Sequence, residues 1–208
     1  MALTNVVGYN GSLPPIGQGV LFEYVTAGNG IFVRGARKGL QVIIPVLPAP
    51  PGLLRGFGSL APRVEMAYPR VPAALVGEML RLSREARAAT GEPIEALFHL
   101  AWNTTSKGWG LDAPPQTRTS GSVRALDDGA ESSYARSLIH AHSHHEMRAF
   151  FSGTDDKEQR GFRIYAVFGD IFTAPTLRVR VGMYDYFHEI PAGEIFDLPP
   201  EARPHETT

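Results

Sequence analysis

Arg136-Ser-Leu-Ile-His140-Ala-His142-Ser-His144-His145 is the stretch of sequence on which the predicted fold depends. The segment 136–142 is predicted to be a strand, and successive side chains of a strand point to opposite faces. His142 and His144 therefore point the same way from a rigid backbone. Such a pair is well suited to supply two imidazole ligands to one metal ion.

A third ligand is expected from the segment that follows, Ser152-Gly-Thr-Asp155. The short Ser-Gly-Thr segment allows the chain to turn back, and Asp155-Asp156 suits the first turn of a helix. Ser-x-x-Asp is also a common helix-capping pattern, so these residues taken singly are compatible with a purely structural role. Two histidines and one carboxylate leave a fourth tetrahedral position for water, as in catalytic zinc sites.

Composition limits the possible functions of the chain. The 208 residues are 43% hydrophobic and 20% charged, which is typical of a folded globular protein. A formal net charge of -1 gives no field that would attract nucleic acid. There is no cysteine, so a metal must be held by His, Asp or Glu. No apolar run reaches the roughly 18 residues of a membrane span and no secretory signal is evident, which predicts a soluble, cytoplasmic protein without a membrane partner.

The N-terminal third is predicted to be rich in strands. Strands over 20–25, 31–34 and 40–46 are separated by turn-forming segments, which favours an antiparallel meander. Pro45 and the prolines that follow it argue against a central strand or a helix through that stretch.

The sequence after the N-terminal third predicts one clear helix and several strands. The helix spans 75–89, is closed by Gly91, and carries Leu75, Met79, Leu82 and Ala86 on its apolar face. A buried strand over 94–102 begins near Glu95. The polar stretch 103–133 is predicted to be a long loop with one weak strand near Val123. Two further strands are expected over 162–168 and 177–183.

His142-Ser-His144, seven intervening residues and then Ser152-x-x-Asp155 form a signature that resembles the JAMM (JAB/MPN) zinc metallopeptidases, in the prokaryotic JAB branch. The resemblance implies that Zn2+ is held by His142, His144 and Asp155. It implies that an upstream strand glutamate, matched here by Glu95, is the general base. Glu92, which precedes Pro93, is the alternative. The family's serine corresponds to Ser152, which would donate a hydrogen bond to the oxyanion of the tetrahedral intermediate.

The resemblance also implies a fold. The expected class is α/β (α+β), with a JAB/MPN-like mixed β-sheet flanked by helices over 71–198. A small β-rich N-terminal module with a connector is expected over 1–70, and a flexible tail over 199–208. Many family members carry proline after the second histidine, where this chain has His145.

The expected activity is hydrolysis of a peptide or isopeptide bond at the C-terminus of a ubiquitin-like protein. The N-terminal extension and the histidine string resemble the branch of the family found in a bacterial gene cassette, which implies ThiF-like and conjugating-enzyme-like proteins as further partners. Two alternatives are a catalytically silent MPN-type scaffold and a RadC-like metal hydrolase with a DNA-associated role.

Several other histidine, aspartate and tryptophan side chains lie near the signature or are of types common in functional sites. His140 is expected to pack within the strand or beside the ligands, and His145 to point to the opposite face and meet solvent. His99 is expected in the core and Asp156 in solvent at a helix start. Trp109 is either an exposed anchor for a partner or a loop residue that folds back on the core. His205, in the tail, has no partner pattern.

Overall fold

A computed structural model describes residues 4–127 and 129–204. The fold is mixed α/β and dominated by sheets, with 13% of residues in helices and 40% in strands. No helix within the described residues is long and apolar enough to cross a bilayer. The chain forms two compact units. One contains the described residues up to 67 with Tyr186–His188, and the other contains Tyr68–Asp185 with the described residues from 189 onward.

The first unit is a five-stranded sheet in the order β1-β2-β3-β4-β5. Its strands are β1 (Thr4–Gly8), β2 (Phe22–Ala27), β3 (Gly30–Arg37), β4 (Leu40–Pro48) and β5 (Arg63–Met66). The predicted antiparallel meander is confirmed as β2 to β4. β1, which pairs in parallel with β2, and β5, which pairs with β4, are additional strands.

Pro45 lies inside the strand predicted over 40–46, and the prolines are expected to exclude only a central strand or a helix. β4 continues through Pro45 to Pro48, and Pro45 lies opposite Phe32, next to a register shift between Ile31 and Phe32. β5 pairs only with the part of β4 from Leu40 to Ile43. Beyond that point one edge of β4 has no neighbouring strand among the described residues, so the strand is not central at Pro45 and a residue without an N–H donor is tolerated there.

The predicted helix exists as α1 (Ala73–Glu85), with Pro72 at its N-cap. It ends four residues earlier than predicted, because the chain becomes extended at Ala86 and Arg87 bridges to Pro93. Its most buried residues are Val76, Met79, Leu80 and Ser83. The predicted apolar face is therefore rotated from the observed one, since a wide apolar stripe does not by itself specify which edge meets the core.

The second unit is built on strands in the order β12-β11-β10-β6-β7, with β14 beside β12. These are β6 (Leu97–Asn103), β7 (Gly108–Asp112), β10 (Ile139–His144), β11 (Arg163–Gly169), β12 (Thr176–Met183) and β14 (Arg203–Pro204). β10 is central, parallel to β11 and antiparallel to β6. The strands predicted over 136–142, 162–168 and 177–183 are confirmed as β10, β11 and β12, with ends that differ from the predicted ones by at most three residues.

The long loop predicted over 103–133 is instead largely folded. It contains β7 and a separate hairpin of β8 (Gln116–Arg118) and β9 (Val123–Ala125), followed at its end by the short helix α2 (Ser133–Arg136). Trp109 lies in β7, where its Nε1 donates to the carbonyl of Pro69 and its ring meets Tyr68 and Trp102 edge-on. Trp109 thus folds back on its own unit, which supports the second of the two interpretations.

The chain after β10 crosses over the end of β11 before it enters α3 (Gly153–Glu158). A side chain at Gly169 would lie 1.9 Å from the backbone nitrogen of Ala149, so this crossing requires glycine. The crossing is held by the N–H groups of Asp170 and Ile171, which donate to the carbonyls of Met147 and His145. These bonds hold the crossing chain against the end of β11, a few residues before α3 begins.

The last described elements are β13 (Tyr186–Ile190), a single 3-10 turn (Ala192–Glu194) and β14. The expected flexible tail starts at 199, and within it Arg203–Pro204 pairs with β12. The prediction for His205 lies outside the described residues.

Candidate metal centre

The central strand β10 presents two histidines on one face, as its alternation predicts. The Nε2 atoms of His142 and His144 lie 3.1 Å apart. Both residues are buried, with 3% and 4% of their surface exposed. Because β10 is held on both sides over most of its length, the two imidazoles are presented by a rigid backbone.

Glu95 reaches the same place from the chain that leads into the neighbouring strand, β6. It lies two residues before β6, not within the strand as predicted, but the chain there continues the direction of β6. Leu97 pairs with His142, so continuing the antiparallel register sets Glu95 opposite His144. Its Oε1 is 3.8 Å from the His144 Nε2. Glu92, the alternative, is exposed.

Asp155 is brought in by the start of α3. Its Oδ1 lies 3.2 Å from the His142 Nε2. Its Oδ2 accepts hydrogen bonds from the backbone N–H and the hydroxyl of Ser152, both at 2.6 Å, while its own N–H donates to the Ser152 Oγ. The capping interpretation of Ser-x-x-Asp is therefore realised, and the same capping box aims the carboxylate at the histidines.

The three side chains fit a tetrahedral metal. Their ligand atoms all lie within 4.8 Å of one another. Zinc–ligand bonds of about 2.0–2.1 Å place neighbouring tetrahedral ligand atoms about 3.3 Å apart, close to the two shorter separations. The pKa of His142 is lowered to about 4, chiefly by burial, and burial likewise lowers the pKa of His144. Both imidazoles are therefore neutral at pH 7, the form that binds metal.

Glu95 has a different electrostatic environment from Asp155. Burial, with a further contribution from the negative charge of Asp155, raises the pKa of Glu95 to about 8. Its Oε1 is buried and has no hydrogen-bond partner among the described residues. A carboxyl group whose pKa lies near neutrality is able both to accept and to return a proton. A cation beside it would favour its ionised form.

A cleft of about 390 Å³ opens over these four residues. One wall is the β8–β9 hairpin and its turn, the other is α3, and the floor is formed by β10 with side chains from α2 and β11. Besides the four residues, its lining includes Gly121, Ser122, Val123, Arg124, Ala125, Tyr134, His140, Ser152, Thr154, Lys157, Glu158, Gln159 and Tyr165. This volume falls within the range of about 300–1,000 Å³ that is typical of ligand-binding sites.

The structure places the remaining histidines of this region. His140 lies in the cleft floor, with its ring 5.2 Å from that of His99 and 5.7 Å from that of Tyr165. His99 is fully buried, as predicted. The prediction that His145 meets solvent is wrong. It is 8% exposed, and its Nε2 lies 2.9 Å from the carbonyl oxygen of Ser120, because the chain leaves the strand direction after His144.

Two residues near the site were missed by sequence reasoning. Gln159 donates from Nε2 to the Asp155 Oδ1 at 3.1 Å, and Arg180 of β12 donates to the Gln159 Oε1. Asp156, expected in solvent, is half exposed and accepts a hydrogen bond from Arg180 at 2.6 Å. The i, i+4 spacing of Asp155 and Gln159 is a signal that indicates their contact. Nothing in the local sequence indicates Arg180.

Comparison with known proteins assigns no family to the chain: no family model matches the sequence, and a search of curated proteins finds no similar protein.

Proposed function

We propose that this chain is a zinc-dependent peptidase or isopeptidase with a JAB/MPN-like catalytic unit. The observation that carries the proposal is the meeting of His142, His144 and Asp155 around one point, with the buried Glu95 beside them. The three ligands come from two separate segments and the carboxyl group from a third. Their separations, burial and neutral imidazoles all match what an open zinc site requires.

Zinc in this position would lower the pKa of a bound water towards about 7 and polarise the scissile carbonyl. Glu95, whose Oε1 lies 3.8 Å from the His144 Nε2, would take a proton from a water held at this position and pass it to the leaving amine. Burial, with the negative charge of Asp155, raises the pKa of Glu95, which makes it a stronger base towards that water than an exposed carboxylate would be. The walls of the cleft would hold the peptide extended across the face of β10.

Ser152 has two roles in this scheme. Without substrate its hydroxyl hydrogen is donated to the Asp155 Oδ2. The backbone N–H of Ser152 donates to the same oxygen, so the carboxylate keeps one of these bonds if the hydroxyl rotates. The hydroxyl would then be free to donate to the oxyanion, an interaction commonly worth about 3 kcal/mol of barrier.

The substrate class rests on the resemblance of the signature and on the shape of the cleft. A narrow cleft between a hairpin and a helix suits the extended C-terminal tail of a ubiquitin-like protein. ThiF-like and conjugating-enzyme-like proteins are the partners that this assignment implies.

Glu95→Gln tests the proposal, with Glu92→Gln as the matched control. In Glu95→Gln the base is lost but no ligand is removed, so cleavage of a C-terminally extended ubiquitin-like protein should fall by at least about 100-fold while bound zinc stays equimolar. Glu92→Gln should cleave like the unaltered protein. Loss of zinc from Glu95→Gln would make Glu95 a ligand, and stoichiometric zinc with no cleavage by the unaltered protein would favour a binding module.

A further inference from the structure

We infer that Gln159 and Arg180 form an outer clamp that makes Asp155 a one-oxygen metal ligand and sets the affinity of the site. The inference rests on the proposed metal site and concerns how the aspartate is held there. Both clamp residues are buried, with 4% and 5% of their surface exposed. Each is hydrogen-bonded to the next in a line that ends at the Asp155 Oδ1.

The hydrogen bonds that the Asp155 carboxylate accepts leave one lone-pair direction, on Oδ1, open to a metal ion. Oδ2 accepts two hydrogen bonds from Ser152, which occupy both of its lone-pair directions. Oδ1 accepts one from the Gln159 Nε2 and faces the His142 Nε2 with its other side. A cation at the histidines would therefore be bound through Oδ1 alone.

Arg180 decides which way the amide of Gln159 points. A guanidinium group donates hydrogen bonds and accepts none, so it must face the amide oxygen. Arg180 approaches the Gln159 Oε1 with Nη2 at 2.9 Å and Nε at 3.3 Å. The amide NH₂ is consequently turned towards Asp155. Without the arginine, the reversed amide would present its oxygen to a carboxylate and repel it.

Arg180 is itself fixed by two further contacts. Its Nη1 donates to the Asp156 Oδ1, and its guanidinium carbon lies 4.0 Å from the centre of the Phe151 ring. Arg180 is on β12. Asp155 and Asp156 are on α3, and Gln159 directly follows that helix. The clamp therefore connects the ligand-bearing helix to the sheet through a charge that is almost completely buried.

Groups that hydrogen-bond to a metal ligand orient it, and their loss typically weakens metal binding by about 10- to 100-fold. Gln159→Leu removes the hydrogen-bond donor and keeps a similar side-chain volume. If that variant does not fold, Gln159→Asn replaces it, because its side chain is one methylene shorter and moves the donor away from Asp155. Arg180→Lys keeps a positive charge, but a single ammonium group cannot bond Gln159 and Asp156 in the geometry of the guanidinium. Arg178→Lys is the matched control, because Arg178 is on the same strand and pairs with Glu189 at the surface.

The measurement is zinc affinity, by competition with a chromophoric chelator, on the full chain. Both Gln159 variants and Arg180→Lys should bind zinc about 10- to 100-fold more weakly, while Arg178→Lys should bind like the unaltered protein. Because Arg180 acts through Gln159, the double variant Gln159→Leu/Arg180→Lys should be no weaker than Gln159→Leu alone. Asp156→Asn, which removes only the outer contact, should have a smaller effect than Arg180→Lys.

Each other result has a definite meaning. Unchanged zinc affinity in the Gln159 variants, or fully additive losses in the double variant, would overturn the clamp. An unaltered protein that binds no zinc would overturn both the clamp and the proposed function. Weaker zinc binding in the variants, together with a zinc-bound unaltered protein that cleaves no substrate, would support the clamp and contradict only the peptidase proposal.

Discussion

His99 shows how a single buried side chain connects the site to the pH dependence of folding. Its Nδ1 lies 2.8 Å from the Ser133 hydroxyl, and its Nε2 is buried without a hydrogen-bond partner among the described residues. Burial, with a smaller contribution from the positive charge of Arg163, lowers the pKa of His99 to about 4. Burial also lowers the pKa of the neighbouring His140.

These lowered pKa values predict that the free energy of unfolding starts to fall at a higher pH than the one at which most carboxylates take up protons. An unfolded histidine has a pKa of about 6.5, so between pH 6.5 and 4 the unfolded chain binds protons that the folded chain does not. The contribution of the histidines to stability is therefore complete above about pH 6.5 and is lost as the pH drops towards 4. Glu95, whose pKa is raised from 4.5 to about 8, contributes with the opposite sign between those two values, so it offsets part of the decline. Urea unfolding of the metal-free protein at pH 7.5, 6 and 5 measures this loss.

The control is His99→Phe, which should lower stability at pH 7.5 but reduce the steepness of the decline with pH. The decline should persist in part, because His140, His142 and His144 titrate in the same direction. An equally steep decline in the variant would mean that His99 is not one of the groups that titrate.

At the scale of the element, the turn of the β8–β9 hairpin is connected to the site at two points. The Glu95 N–H donates to the Thr119 carbonyl at 3.0 Å. The His145 Nδ1 accepts from the Glu146 N–H, so the ring hydrogen is on Nε2 and is donated to the Ser120 carbonyl. His145 thus joins one wall of the cleft to the strand that carries the ligands.

His145→Ala should loosen this wall without removing a ligand. Loss of a hydrogen bond worth about 1 kcal/mol would increase opening of the turn about fivefold. Arg118 and Arg124 flank the turn, so the rate of tryptic cleavage at these two residues reports its opening directly. Zinc content should stay equimolar.

Ser122→Ala is the control, since it removes a hydroxyl contact within the turn and leaves the bond to His145 intact. Cleavage rates that are equal in His145→Ala and the unaltered protein would show that the Ser120 contact does not hold the turn.

At the scale of the whole molecule, a metal ion would connect the strand β10, through His142 and His144, to the start of α3, through Asp155. An ion that binds the folded but not the unfolded chain adds stability by mass action, about 2.7 kcal/mol at 100 times its dissociation constant. The unfolding transition that includes this unit should therefore rise by several degrees when zinc is added.

Scanning calorimetry with zinc and with a chelator measures the shift, and His142→Ala supplies the comparison. Because a ligand is missing, the melting temperature of the variant should not respond to zinc. A shift of equal size in His142→Ala would place the stabilising ion elsewhere on the protein.

Short-range patterns in the sequence determined much of what is observed. Alternation along a strand set His142 and His144 on one face of β10, and Ser152-x-x-Asp155 formed the turn that caps α3. The β2 to β4 meander and the strands β10 to β12 also follow from local alternation and turn residues. Each of these features depends on residues a few positions apart, where backbone geometry alone dictates direction.

Only the tertiary structure decided the features that depend on long-range pairing. Local sequence did not reveal β7, the β8–β9 hairpin, the face that α1 buries, the burial of His145 or the approach of Arg180 to Gln159. Even for Glu95, the local pattern indicated a strand, but the antiparallel register of β6 and β10 sets it beside His144. Sheet register and burial are fixed by partners tens of residues away, and a pattern confined to one segment does not contain them.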